Sequence, residues 1–178
     1  WIAPNTPGSK IPSHGTDALG QTYAFDFVGV EPGTTKTSFY RTSSLHYFIR
    51  GVRLTECHGW GQPIYAASSG TVITASDGTP ERDPVHLARD LFIMFKNARD
   101  FNSKNMPDLK VLTGNHIIVE SADGFVFYAH AQIGSLRVAE GEKITPGQHI
   151  ASVGHSGNST APHLHFQLMD NLDPWVAK

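Results

Sequence analysis

Polar and apolar residues alternate one by one along His163-Leu164-His165-Phe166-Gln167-Leu168, the period of a strand. His163, His165 and Gln167 therefore share one face, and Leu164, Phe166 and Leu168 the other. Residues 23–27 repeat the pattern: Tyr23, Phe25 and Phe27 lie on one side, Ala24 and Asp26 on the other. Further strands are predicted at 61–67 and 70–75, around a Ser-Ser-Gly turn, and at 117–120, 125–131, 137–138, 149–153 and 163–168. Asp123-Gly124 between two β-rich runs is a hairpin signal. A single stretch takes the helical period. Asp83 as N-cap and Pro84 at the first position would open it, and Val85, Ala88, Leu91, Phe92 and Phe95 would form its apolar face to about Ala98. Residues 101–110 would be its return loop, and residues 31–58 are polar and turn-rich without a period. The expected class is all-β: a compact antiparallel sheet or sandwich with one inserted helix. It forms one domain over residues 1–178, with insertions at about 31–58 and 79–113.

Composition narrows the function. With 178 residues, 39% hydrophobic and 17% charged, the chain is long enough to bury a core without covalent staples. A net charge of -2 and a pI near 6.6 give no electrostatic case for nucleic acid or an anionic membrane as partner. Cys57 is the single cysteine, so neither an internal disulfide nor a thiolate-based zinc site is available. No apolar run approaches the roughly 20 residues that span a bilayer, so an integral membrane protein is not expected. The chain starts Trp1-Ile2-Ala3-Pro4, with neither an initiator Met nor a signal peptide, and reads as a mature fragment. Nothing in it argues for a stable dimer, and a monomer is expected.

Two imidazoles side by side on one face of a core-forming strand call for something to organise them, and a divalent metal does so well. Two upstream places supply more of the same chemistry: His14 together with Asp26, and His130 in Tyr128-Ala129-His130. A hydrolytic zinc site needs three protein ligands and an open position, where the metal brings the pKa of bound water to about 7. Remaining histidines would move protons or stabilise an oxyanion. Four histidines and one carboxylate suffice for three ligands and two helpers. His46, His58, His86, His149 and His155 are expected to be structural or solvent-facing; His116 either joins them or borders the substrate side.

These residues resemble the lysostaphin-type zinc peptidases, which cut peptide cross-links of bacterial peptidoglycan. The carriers are Gly61-Gln62-Pro63-Ile64-Tyr65-Ala66-Ala67-Ser68-Ser69-Gly70-Thr71-Val72, Gly114-Asn115-His116 leading to Tyr128-Ala129-His130, and Gly141-Glu142-Lys143-Ile144-Thr145-Pro146-Gly147-Gln148. Gly154-His155-Ser156-Gly157-Asn158-Ser159-Thr160 and Pro162-His163-Leu164-His165-Phe166 complete them. The resemblance implies a groove across one sheet, with Zn2+ held by His14, Asp26 and His165, and with His130 and His163 as the catalytic pair. In the family three residues separate the first His from the Asp; here eleven lie between His14 and Asp26, and Asp17 is the alternative carboxylate. Asp26 is preferred because a strand holds a ligand more rigidly than a loop. The implied function is a zinc-dependent endopeptidase acting on peptidoglycan or another peptide substrate, in an exported setting: periplasm, cell envelope or secreted. The rival is a non-catalytic peptidoglycan-binding or regulatory relative; the presence of every expected residue type favours the enzyme.

Overall fold

Eight strands, three α-helices and two 3-10 helices are found among the residues that the computed structural model describes, 1–33, 35, 37–102 and 108–178. The strands are β1 (Phe25–Val28), β2 (Pro63–Tyr65), β3 (Gly70–Ser76), β4 (Asn115–Ser121), β5 (Gly124–Ala131), β6 (Lys143–Ile144), β7 (His149–Ser152) and β8 (His163–Met169). Six form an antiparallel sheet in the order β1-β8-β5-β4-β3-β6, and β2 pairs with β7 in a separate ribbon. The all-β expectation holds, and β4 and β5 form the hairpin signalled by Asp123-Gly124, with Ser121 opposite Gly124.

Strand alternation gives the sheet two faces of different character. Val72, Ile117, Val119, Val126 and Tyr128 point to the side where the β2–β7 ribbon brings Ile64, Ile150 and Ala151, and together they form the main core. Leu164 and Phe166 of β8 pack against that core. Ile118, Phe127, Ala129 and Met169 take the opposite face, and His163, His165 and Gln167 share it. The candidate site thus lies on the reverse of the core-bearing face.

Several expectations are corrected. The strands expected at 61–67 and 70–75 are both present, the first shortened to β2, but they join different sheets: Ala66 exchanges backbone hydrogen bonds with Gln148 and Gly147, whereas β3 joins the large sheet. Residues 137–138 are not a strand, because Arg137 N–H to Ile150 O is an isolated bond. The helix, α2 (Leu87–Asn102), starts later than predicted, since Val85 exchanges both backbone bonds with Val52. Asp83 does not cap it; its carboxylate accepts from Leu54 N–H instead. The apolar face of α2 also looks outward, with Phe92 and Phe95 exposed, while the inward face carries Asp90, fully buried among Arg82, Arg89 and His155. There is more than one inserted helix: α1 (Ser44–Arg50) and α3 (Leu109–Thr113) flank α2 in the chain. Part of the return loop expected at 101–110 lies outside the described residues. In the 31–58 insertion, Tyr47, Val52, Leu54 and Cys57 form a small core of their own with Val85.

Candidate metal centre

Register brings the first residues together. Asp26 of β1 sits directly opposite His165 of β8, and His165 is opposite Ala129 of β5. The aromatic side of β1 is only half-buried, with Phe25 and Phe27 stacked, while Ala24 and Asp26 face inward and are buried. Asp26 Oδ1 lies 2.9 Å from His165 Nδ1 and 3.5 Å from His163 Nε2. Its Oδ2 lies 2.9 Å from His14 Nε2 and accepts from Asn5 Nδ2–H at 2.7 Å. His14, Asp26 and His165 form a group whose ligand atoms all fall within 4.8 Å of one another. Asp17 is not part of it; its carboxylate accepts from Thr22 Oγ1–H at 2.9 Å.

His130 and His163 complete the cluster, their ring centroids 4.6 Å apart, with His130 6.0 Å from His165. His130 Nδ1–H donates to Ser156 O at 2.9 Å and His163 Nδ1–H to Ala161 O at 2.7 Å. A carbonyl only accepts, so each ring carries its hydrogen on Nδ1 and keeps a free lone pair on Nε2. His130 also has φ +62°, a left-handed conformation rare for a residue other than Gly, Asn or Asp. His116, near the start of β4, stays apart, its Nδ1 donating to Gly114 O at 2.8 Å. Of the remaining histidines, His155 is fully buried beside Ser159 and Asp90.

Charge in this cluster follows from burial and neighbours. Burial alone would push Asp26 upward, but the charge of His163 and hydrogen bonds from His14 and His165, when those rings carry the extra proton, hold its carboxyl far below the usual carboxylate range. Burial holds His163 below the usual imidazole range and His130 well below it, so both rings are neutral near pH 7.

The donor set suits a metal ion. His165 Nε2 lies 2.8 Å from Gln167 Oε1, an acceptor, and so carries the hydrogen; in the neutral ring Nδ1 is then a lone pair aimed at Asp26. Two imidazole nitrogens thus face one carboxylate across 2.9 Å, a repulsive arrangement unless a cation, proton or metal, sits among them. Two nitrogens and one carboxylate oxygen are the ligand chemistry of catalytic zinc, with bonds of about 2.0–2.2 Å.

The cluster opens into a groove of ≈ 410 Å³. Met94 of α2 and Leu109, Leu112 and Thr113 of α3 line it, so the 79–113 insertion forms part of its wall. Among the described residues none of 31–58 lines it; that segment is engaged in its own small core.

Residues 47–175 match the family model described as Peptidase family M23. The chain belongs to that family. The M23 match includes His130, His163 and His165 and begins after His14 and Asp26. A glycyl-glycine endopeptidase of Staphylococcus capitis is 40% identical over 58 residues, 33% of this chain and 16% of the relative. A peptidoglycan DD-endopeptidase of Vibrio cholerae is 32% identical over 57 residues, 32% of this chain and 13% of the relative. The M23 chain thus spans less than a fifth of either relative's length. Among solved structures, the catalytic domain of the antimicrobial peptidase lysostaphin from Staphylococcus simulans aligns at 23% identity and a TM-score of 0.43, covering 79% of this chain and 84% of that one. No helix among the described residues of this M23 chain is long and apolar enough to cross a membrane.

Sequence reasoning missed two residues at the centre, Asn5 and Ser13. Asn5 lies in an irregular Pro- and Gly-rich arm with no pattern to mark it. Ser13 adjoins His14, and its burial was the missing clue.

Proposed function

We propose that this chain is a zinc-dependent endopeptidase that hydrolyses a peptide bond in bacterial peptidoglycan cross-links, outside the cytoplasm. The observation that carries the reading is the convergence of His14 Nε2, His165 Nδ1 and the Asp26 carboxylate on one point, beside the free Nε2 lone pairs of His130 and His163. His14, Asp26 and His165 would hold zinc, which when bound supplies Lewis acidity and a water activated at neutral pH. Asn5 holds Asp26 Oδ2 from the side, and the neighbouring histidines keep the carboxyl ionised against the effect of its burial. Either His130 Nε2 or His163 Nε2 accepts the proton of the attacking water. That ring, protonated by the water, would donate a hydrogen bond to the carbonyl oxygen as negative charge builds there and then pass its proton to the leaving amine nitrogen. Their Nδ1–H bonds to Ser156 O and Ala161 O keep both rings aimed at the groove throughout. Both relatives above are named endopeptidases, and the name of the Vibrio cholerae one supports a peptidoglycan substrate.

The test is metal content and hydrolysis of purified peptidoglycan, for the unaltered chain beside His165→Ala, with circular dichroism as a control for folding. About one zinc per chain, lost in the variant together with cleavage, is the expected result. Zinc-free chain that cannot be reconstituted would overturn the proposal in favour of a binding domain. Bound zinc with no cleavage of peptidoglycan would overturn the substrate assignment.

A further inference from the structure

The eleven residues between His14 and Asp26 depart most from the family pattern, and they fold back onto both candidate histidine ligands. Residues Ala18–Tyr23 form two 3-10 turns merged across a kink at Leu19 and Gly20, whose φ values are +61° and +68°. The kink turns Leu19 O toward Gln167, and Gln21 O is taken by Ser13. A Cβ on Gly20 would lie 3.0 Å from Gln167 Nε2 and 3.1 Å from Met169 Cγ, in a conformation that favours glycine. Ser13 and Gln167 are both fully buried.

Hydrogen-bond polarity then runs in one direction from each carbonyl. Leu19 O can only accept, so the Gln167 amide nitrogen faces it at 2.8 Å and the Gln167 carbonyl is left facing His165. That carbonyl also only accepts, so His165 Nε2 carries the hydrogen at 2.8 Å and Nδ1 is bare toward Asp26. Gln21 O likewise takes the single hydroxyl hydrogen of Ser13 at 2.9 Å. Ser13 Oγ can then only accept from His14 Nδ1–H at 3.0 Å, leaving His14 Nε2 bare toward Asp26. Two carbonyls, two residues apart in sequence, set the tautomer of both rings.

We infer that the spacer is a positioning device for zinc: through Ser13 and Gln167 it fixes His14 as an Nε2 ligand and His165 as an Nδ1 ligand before metal arrives. The inference rests on the zinc reading proposed above. A ring locked in the wrong tautomer presents a hydrogen where the metal needs a lone pair, and outer partners of this kind are worth about 10–100-fold in metal affinity.

The test is the zinc dissociation constant of the full chain, measured by competition with a chromophoric chelator, for Ser13→Ala, Gln167→Leu, Gln167→Glu and Gly20→Ala. Thermal melts of the metal-free proteins run alongside. Ser13→Ala and Gln167→Leu are expected to weaken zinc binding about 10–100-fold each while the metal-free fold stays intact. Gly20→Ala, which displaces the Gln167 amide, follows them. Gln167→Glu keeps an acceptor for His165 Nε2–H but loses the N–H that Leu19 O takes, so its affinity is expected to fall between Gln167→Leu and the unaltered chain, an order that a purely structural role for Gln167 would not produce. Tight zinc binding by the unaltered chain with the same dissociation constant in Ser13→Ala and Gln167→Leu overturns the spacer's role and leaves the zinc reading standing. No zinc binding by the unaltered chain overturns both.

Discussion

Asp90→Asn probes the contact between the inserted helix and the loop that precedes β8. Asp90 is 1% exposed and accepts from Arg82 Nε–H at 2.9 Å, Arg89 Nε–H at 3.0 Å and His86 N–H at 2.8 Å, with His155 Nε2 3.6 Å away. Arg82 in turn donates to Gly157 O at 2.7 Å and Ser159 O at 2.6 Å. Removing one partner of a fully buried ion pair costs about 3–5 kcal/mol. The Arg82 and Arg89 side chains are 21% and 38% exposed, so water recovers part of the loss. A destabilisation of about 2–3 kcal/mol remains, which lowers Tm by about 4–12 °C in a domain of this size.

The same group predicts a pH signature. Burial alone would raise the Asp90 pKa, but His155, Arg89, the His86 amide and Arg82 outweigh it and hold the carboxyl below its usual range. A folded pKa below the unfolded value of about 3.9 gives stability that is fully present above that value and is lost as pH falls through the folded one. The gap between the unaltered chain and Asp90→Asn is therefore constant from about pH 5 to 7 and narrows below about pH 4. Melts of the metal-free proteins followed by circular dichroism read both effects. An Asn variant melting within about 1 °C of the unaltered chain at pH 7 would refute the reasoning.

Two further outcomes follow from single buried groups. Tyr128, 2% exposed, accepts from Ala67 N–H at 2.9 Å across the core. Tyr128→Phe is expected to lower stability by about 1–2 kcal/mol, seen as an earlier urea midpoint with an unchanged slope; an unshifted midpoint would mean that water replaces the hydroxyl. Burial, with Glu56 and Asp83 nearby, pushes the Cys57 thiol up to about 12. A disulfide reagent at pH 8 should leave it unmodified in the folded chain and titrate one thiol in guanidinium, and rapid native labelling would contradict its placement in the small core.

The groove explains why the 79–113 insertion is more than decoration. Its helices α2 and α3 supply Met94, Leu109 and Leu112 to one wall, and its first residues tie down the loop leading to His163. The outward Phe92 and Phe95 show that helical periodicity reports an apolar stripe without saying what it meets. Here the inward position went to Asp90, because two arginines and His155 were waiting for a carboxylate.

What the sequence determined by itself was local and periodic. One-by-one alternation located β1 and β8, put His163, His165 and Gln167 on one face, and placed Asp26 opposite the aromatic side of β1, while β-rich runs bounded by turn residues located β4 and β5. The Gly-Asn-Ser-Thr turn before the His-x-His strand pointed to the peptidase family through motif alone. It gave no sign of α1, where Tyr47 is the only buried side chain in seven residues and no period can form. The tertiary structure decided the rest. Asp26 and His165 meet across 139 positions of chain, and the groups that orient the two histidine ligands end in the backbone carbonyls of Leu19 and Gln21. Every residue carries a carbonyl, so none of them marks a sequence; only the path of the folded chain selects which two turn toward a ligand.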